Sequence, residues 1–221
     1  SARMYTMFGN RAGSAARLGV ETLDLVQLHC VPLAVLKAGE LLGWMEDFQA
    51  AGLIRAFGAS VETLEEALEL VTHPGLTSLQ IIFNLFRQNA IDALFPLAQA
   101  NEVGIIARLP LASGVLSGKM RHGQSFAQSD HRHYNSRGEV FSQGETFSGL
   151  PFDQAIDRVE EIRGWVPAGM SMAQMAMRWI LDYPAVSTVI TGASRPEQVL
   201  ENASVSRLEP LPEALHARLA E

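Results

Sequence analysis

Leu23-Asp24-Leu25-Val26-Gln27-Leu28-His29 decides how this chain is read: a short apolar run that ends on a histidine and is followed at once by Cys30. Its length and leucine/valine content predict a buried strand. Side chains alternate along a strand, so Asp24, Val26 and Leu28 point one way and Leu25, Gln27 and His29 the other. In a parallel β/α barrel the C-terminal strand ends converge on the mouth where chemistry is done, and His29 occupies such an end. Two readings of the histidine stand side by side: a core residue with satisfied ring nitrogens, or a group that faces a substrate.

Working outward, further strands are predicted at Ile54–Ser60, Ser78–Asn84, Gly104–Leu109 and Ser187–Thr191. Several are apolar on both faces, as expected where helices cover a parallel sheet. Helical patterns fall between them, at Leu36–Ala51, Thr63–Val71, Ala93–Asn101 and Ser171–Leu181. Thr63 followed by Glu66 is a capping-box signature, while His73-Pro74-Gly75 and Tyr183-Pro184 are stop signals. The alternation predicts an α/β protein, either an open doubly wound sheet or a closed barrel. Gly118 to Pro151 breaks the rhythm with a polar, aperiodic stretch. It reads either as an excursion over one face of the sheet, in the manner of a lid, or as a solvated insert. Ahead of Leu23 only Arg3–Met7 looks strand-like, so a closed eight-stranded barrel is incomplete over these residues.

The 221 residues suit a single domain spanning 1–221. Hydrophobic residues at 48% against 19% charged fit a folded, enzyme-like chain rather than a disordered one. Seventeen basic and 24 acidic residues leave a net charge of −7, which argues against nucleic acid or an anionic membrane as the main partner. The single cysteine, Cys30, can form neither an internal disulfide nor a structural zinc site. No apolar run reaches membrane-span length and the N-terminus has no signal-peptide core, so a cytoplasmic protein is expected.

Five of these segments, in order, are similar to the motifs of the aldo-keto reductase family. Leu23–His29 resembles its fourth strand, Gly52-Leu53-Ile54-Arg55-Ala56-Phe57-Gly58-Ala59-Ser60 its next, and Gln80–Arg87 (QIIFNLFR) the one after. Ile105–Lys119 (IIARLPLASGVLSGK) resembles the strand and loop that straddle the dinucleotide, and Val189–Asn202 (VITGASRPEQVLEN) the last strand and its cofactor-binding helix. The insert, with Asp130-His131-Arg132 and Gly144–Gly149 (GETFSG), resembles the same loop in one bacterial branch. The resemblance implies a (β/α)8 TIM-type barrel and an NADP-dependent oxidoreductase that reduces a small aldehyde or ketone to an alcohol.

In that family a tyrosine is the acid, a lysine paired with an aspartate lowers its pKa, and a histidine orients the carbonyl; His29 matches the histidine. The resemblance assigns Ser60 and Gln80 to the nicotinamide amide, with Val61 where an asparagine normally stands. Arg108 falls where many members stack an aromatic ring under the nicotinamide; a guanidinium is also planar, and a surface strand-end arginine is the alternative reading. Leu111, Ser113, Gly114 and Lys119 would approach the pyrophosphate. Gly192-Ala193-Ser194-Arg195 opens a helix whose first turn is an anion site. There Ser194 and Arg195 would take a 2′-phosphate, favouring NADPH over NADH, and Gln198, Glu201 and Asn202 would flank the adenine and its ribose.

The aspartate, tyrosine and lysine partners are not visible: Tyr5 lacks their pattern, and in Thr6-Met7-Phe8-Gly9-Asn10 a methionine stands where the lysine belongs. Missing segments before residue 1 and near Asn10 would account for this; otherwise the chain is a catalytically impaired NADP-binding barrel acting as sensor or scaffold. A third reading, a metal-dependent hydrolase, rests on Asp130, His131 and His133, which lack a further ligand at fixed spacing. The substrate's identity belongs to loop shape and not to any motif.

Overall fold

The computed structural model describes residues 11–140 and 142–220. The Arg3–Met7 strand, Tyr5 and the Thr6–Asn10 match lie outside the described residues. Two compact units are formed, one from the described residues up to 81 with 92–105, the other from 82–91 and the residues from 106 onward.

The first unit opens with helix α1 (Arg11–Leu18) and strand β1 (Leu23–His29), the latter over the predicted residues. Its burial differs from expectation. Leu23 and Leu28 are buried, but Leu25 is 43% exposed, because β1 has only β2 (Ile54–Ser60) beside it among the described residues and is an edge strand. The single helix expected over Leu36–Ala51 is two, α2 (Leu33–Ala38) and α3 (Glu40–Ala50). Gly39 divides them: at φ +75° it takes the left-handed conformation and its N–H closes α2 on the carbonyl of Leu36. Helix α4 (Leu64–Leu70) carries the predicted capping box, with Thr63 Oγ1 accepting from Glu66 N at 3.1 Å and Glu66 Oε2 from Thr63 N at 3.0 Å.

Strand β3 (Leu76–Ile82) starts and ends two residues earlier than predicted. Asn84 leaves the extended run because it closes a tight bridge with Arg87. β1, β2 and β3 pair in parallel, with a register irregularity at Phe57/Gly58 where β2 comes very close to Ser78 of β3. The helix expected over Ala93–Asn101 is again two short ones, α5 (Ala90–Ala93) and α6 (Phe95–Ala100). Met45, Phe57, Leu79 and Ile105 are fully enclosed in this unit's core.

Strand β4 (Gly104–Arg108) passes into the second unit and stops where Leu109 turns to φ +54°. There Phe83 N, just past β3, donates to the Arg108 carbonyl, and Ile190 N, just past β5 (Val186–Val189), donates to that of Ala107. Residues 118–151 are not a loose insert. They contain helix α7 (His131–Tyr134) and bury Asn135, Thr146 and Phe147, and Phe126, Phe147 and Phe152 pack ring against ring. Helix α8 (Phe152–Arg163) follows, and His122 lies between two of its carboxylates, Asp153 at 3.2 Å and Asp157 at 3.0 Å. The hydrogen bond to Asp153 is the main cause of a raised His122 pKa. Helix α9 (Met172–Leu181) starts on a second capping box, Ser171 with Gln174. Its Trp179 stacks on Phe83 and on His216 of the last helix, α11 (Glu213–Leu219). Between them, helix α10 (Pro196–Ser204) begins with Arg195 as N-cap. Among the described residues no helix is long and apolar enough to cross a membrane.

Candidate active site

Parallel pairing aligns residues across neighbouring strands, and in the first unit it aligns three of the predicted site residues. His29 of β1 is the register partner of Ser60 of β2, and Ser60 is the partner of Gln80 of β3. Backbone bonds fix the row: Cys30 N donates to the Ser60 carbonyl at 2.9 Å and Val61 N to the Gln80 carbonyl at 3.0 Å. His29 is exposed at the end of the edge strand β1, with Nε2 3.7 Å from Cys30 Sγ. Ser60 is the opposite case. It is 2% exposed, and its Oγ has no hydrogen-bond partner among the described residues. A buried hydroxyl without a partner costs about 1–3 kcal/mol, and a ligand amide bound there would remove that penalty. Among the described residues, Ser60 therefore has an unused hydrogen-bonding site at the centre of the row.

In the second unit the strand-end residue Arg108 is buried, which rules out the surface reading, and its guanidinium is paired with Glu145. Glu145 was not foreseen as a site residue. It belongs to a clasp between residues 145–148 and the two strand ends. Ser113 Oγ donates to the Glu145 carbonyl at 3.0 Å and accepts from Phe147 N at 3.2 Å. Asn84, with no exposed surface, donates to Leu109 O at 2.9 Å and to Ser148 Oγ at 2.8 Å. Leu109, Ala112, Ser113, Phe147 and Ser148 all have φ between +46° and +58°. Five non-glycine residues in this region of backbone space cluster where surrounding bonds hold strain for use. An asparagine inside the apolar run Ile81–Phe86 was a readable sign of such a polar knot, whereas Glu145 gave none.

Ser113 thus has its hydroxyl engaged by the clasp, while Leu111 and Gly114 line the same turn and Lys119 is exposed at its end. At the other end of the unit, Ser194 donates from N and Oγ to Gln198 Oε1 at 2.8 and 3.1 Å, and Asn202 reaches the Gly192 carbonyl at 3.4 Å. The β5–α10 turn is therefore preformed, with an exposed Arg195 beside the first turn of α10. Glu201 accepts from Ser171 at 3.2 Å, which ties α10 to the cap of α9. The metal reading finds little support: Asp130 is spent as N-cap of α7 and in its ion pair with Arg132, whose hydrogen bond holds its pKa at about 2. No cluster of three or more potential metal ligands occurs among the described residues.

Strand-end residues of this kind, on parallel β/α units, define a class, and sequence comparison identifies it: the profile of the Aldo/keto reductase family matches residues 11–221, and the chain belongs to that family. It is 28% identical over 186 residues to the aldo-keto reductase YhdN of Bacillus subtilis, a match covering 84% of this chain and 54% of that protein. It is 37% identical over 194 residues to the L-glyceraldehyde 3-phosphate reductase of Escherichia coli O157:H7, covering 86% of this chain and 55% of that protein. Among solved structures, the glycerol dehydrogenase of Gluconobacter oxydans superposes with a TM-score of 0.76 at 24% identity, over 96% of this chain and 62% of that one. The chain thus spans little more than half the length of the curated relatives it matches. The fold to which β1–β5 belong is the family's (β/α)8 barrel.

Proposed function

We propose that the protein binds NADPH and reduces a small aldehyde or ketone to the alcohol in the cytoplasm, working as one barrel domain over residues 1–221. One observation carries the reading: the His29–Ser60–Gln80 row across three parallel strands, in which His29 and Ser60 close β1 and β2, with a buried hydroxyl at its centre that has no hydrogen-bond partner among the described residues. Bound NADPH supplies the hydride. Ser60 and Gln80 would hold the carboxamide of its ring. His29, exposed at the end of the row, donates a hydrogen bond to the carbonyl oxygen as negative charge grows on it, and the proton that completes the alcohol is drawn from water at this exposed end. Arg108 would lie against the ring, Leu111, Gly114 and Lys119 would approach the pyrophosphate, and Ser113 shapes the turn. Ser194 and Arg195 take the 2′-phosphate, and Gln198, Glu201 and Asn202 border the adenosine. Family membership supports this reading, as does the reductase activity printed in the name of the 37%-identical relative.

The test is carbonyl-dependent oxidation of NADPH by the wild-type chain and by His29→Ala. Turnover is expected to fall by about 10²-fold or more, as for loss of a group acting in the transition state, with NADPH affinity nearly unchanged. Equal loss of turnover and affinity would contradict the role given to His29.

A further inference from the structure

We propose that Glu145 is a positioning residue that balances the charge of Arg108 and thereby sets how tightly the protein holds the oxidised cofactor relative to the reduced one. This rests on the reading that the nicotinamide lies against Arg108. The side chains of the pair are only 10% and 22% exposed, so water screens their charges weakly. Glu145 is not free to leave. Its N–H is held by the Ser142 carbonyl, its own carbonyl by Ser113, and the three residues after it by Asn135, Ser113 and Asn84. The clasp therefore delivers a fixed carboxylate, 37 residues away in sequence, to the arginine at the end of β4.

The consequence follows from the chemistry of the ring. Oxidised nicotinamide carries a positive charge and dihydronicotinamide carries none. A buried arginine without its counter-ion repels the first and leaves the second unaffected. With Glu145 in place the pair is neutral overall, and the penalty on the oxidised form is cancelled. The carboxylate also helps to fix the plane of the guanidinium.

Titration of the full chain with NADP⁺ and NADPH separates these effects. In Glu145→Gln the Kd for NADP⁺ is expected to rise about tenfold more than the Kd for NADPH, as an unscreened charge at close range requires. The double variant Arg108→Met/Glu145→Gln removes both charges, and the ratio of the two constants should return to within about twofold of wild type. If Glu145→Gln fails to fold, the apolar pair Arg108→Met/Glu145→Met, which avoids a buried lone charge, should keep the wild-type ratio, and a single Arg108→Met should not disfavour NADP⁺. A purely structural role would weaken both nucleotides equally, and that result, or an unmoved ratio in Glu145→Gln, overturns the inference while leaving the cofactor reading intact. A wild-type chain that binds neither nucleotide overturns the cofactor reading itself, and this inference with it.

Discussion

At position 29 the sequence offers a choice between a core histidine and a working one; the structure leaves the residue exposed at the end of the edge strand β1. Ser60 was legible as a strand-end residue and Gln80 as a residue of the next strand. Their alignment was not, because it depends on the irregularity at Phe57/Gly58, which no periodicity announces. Arg108 and Glu145 mark the limit of reading residues one at a time. An arginine closing an apolar strand is visible in the sequence, but a partner 37 residues later in a glycine- and serine-rich stretch is not. Arg195 makes the specific prediction at this scale. It is exposed beside the first turn of α10, with Ser194 already ordered by Gln198. Arg195→Ala should weaken NADPH by about 1.5–3 kcal/mol, the worth of a charge-assisted contact, and leave NADH almost untouched. Competitive titration of the two nucleotides checks this, and parallel weakening would remove the 2′-phosphate assignment.

Strands and capped helices were the readable elements. β1 and β2 fall on the predicted residues, and both capping boxes form, because local alternation and cap chemistry are written in neighbouring residues. The errors have local causes as well. Gly39 in the left-handed conformation splits one expected helix, and Asn84 turns out of β3 to bond with Arg87. The 118–151 stretch was illegible for a different reason. Its order comes from a few buried polar residues and a ring cluster rather than from any period. Within the sheet, Gly58 is a test of element packing. A Cβ there would stand 2.2 Å from Ser78 Oγ and 2.5 Å from the Ser78 carbonyl oxygen, and the latter is backbone that cannot swing away. Gly58→Ala should therefore cost about 1–3 kcal/mol in urea unfolding, the range for overpacking. An unchanged midpoint would contradict the close approach of β2 and β3.

For the molecule as a whole, a net charge of −7 makes the placing of cations informative. A dinucleotide phosphate is strongly anionic, so an acidic chain that binds it must do so through local groups: backbone N–H at the start of α10, Arg195, and Lys119 after the β4 turn. Family membership accounts for the β/α order of the described strands. What the sequence made legible at this scale was the order of the motifs; what it withheld was the clasp that joins them in the second unit. The central claim is that the chain binds a nicotinamide dinucleotide. Isothermal calorimetry of NADPH into the full chain tests it most directly. Saturable binding at one site per chain, tighter than for NADH, is the predicted result; absence of heat with both nucleotides would contradict it.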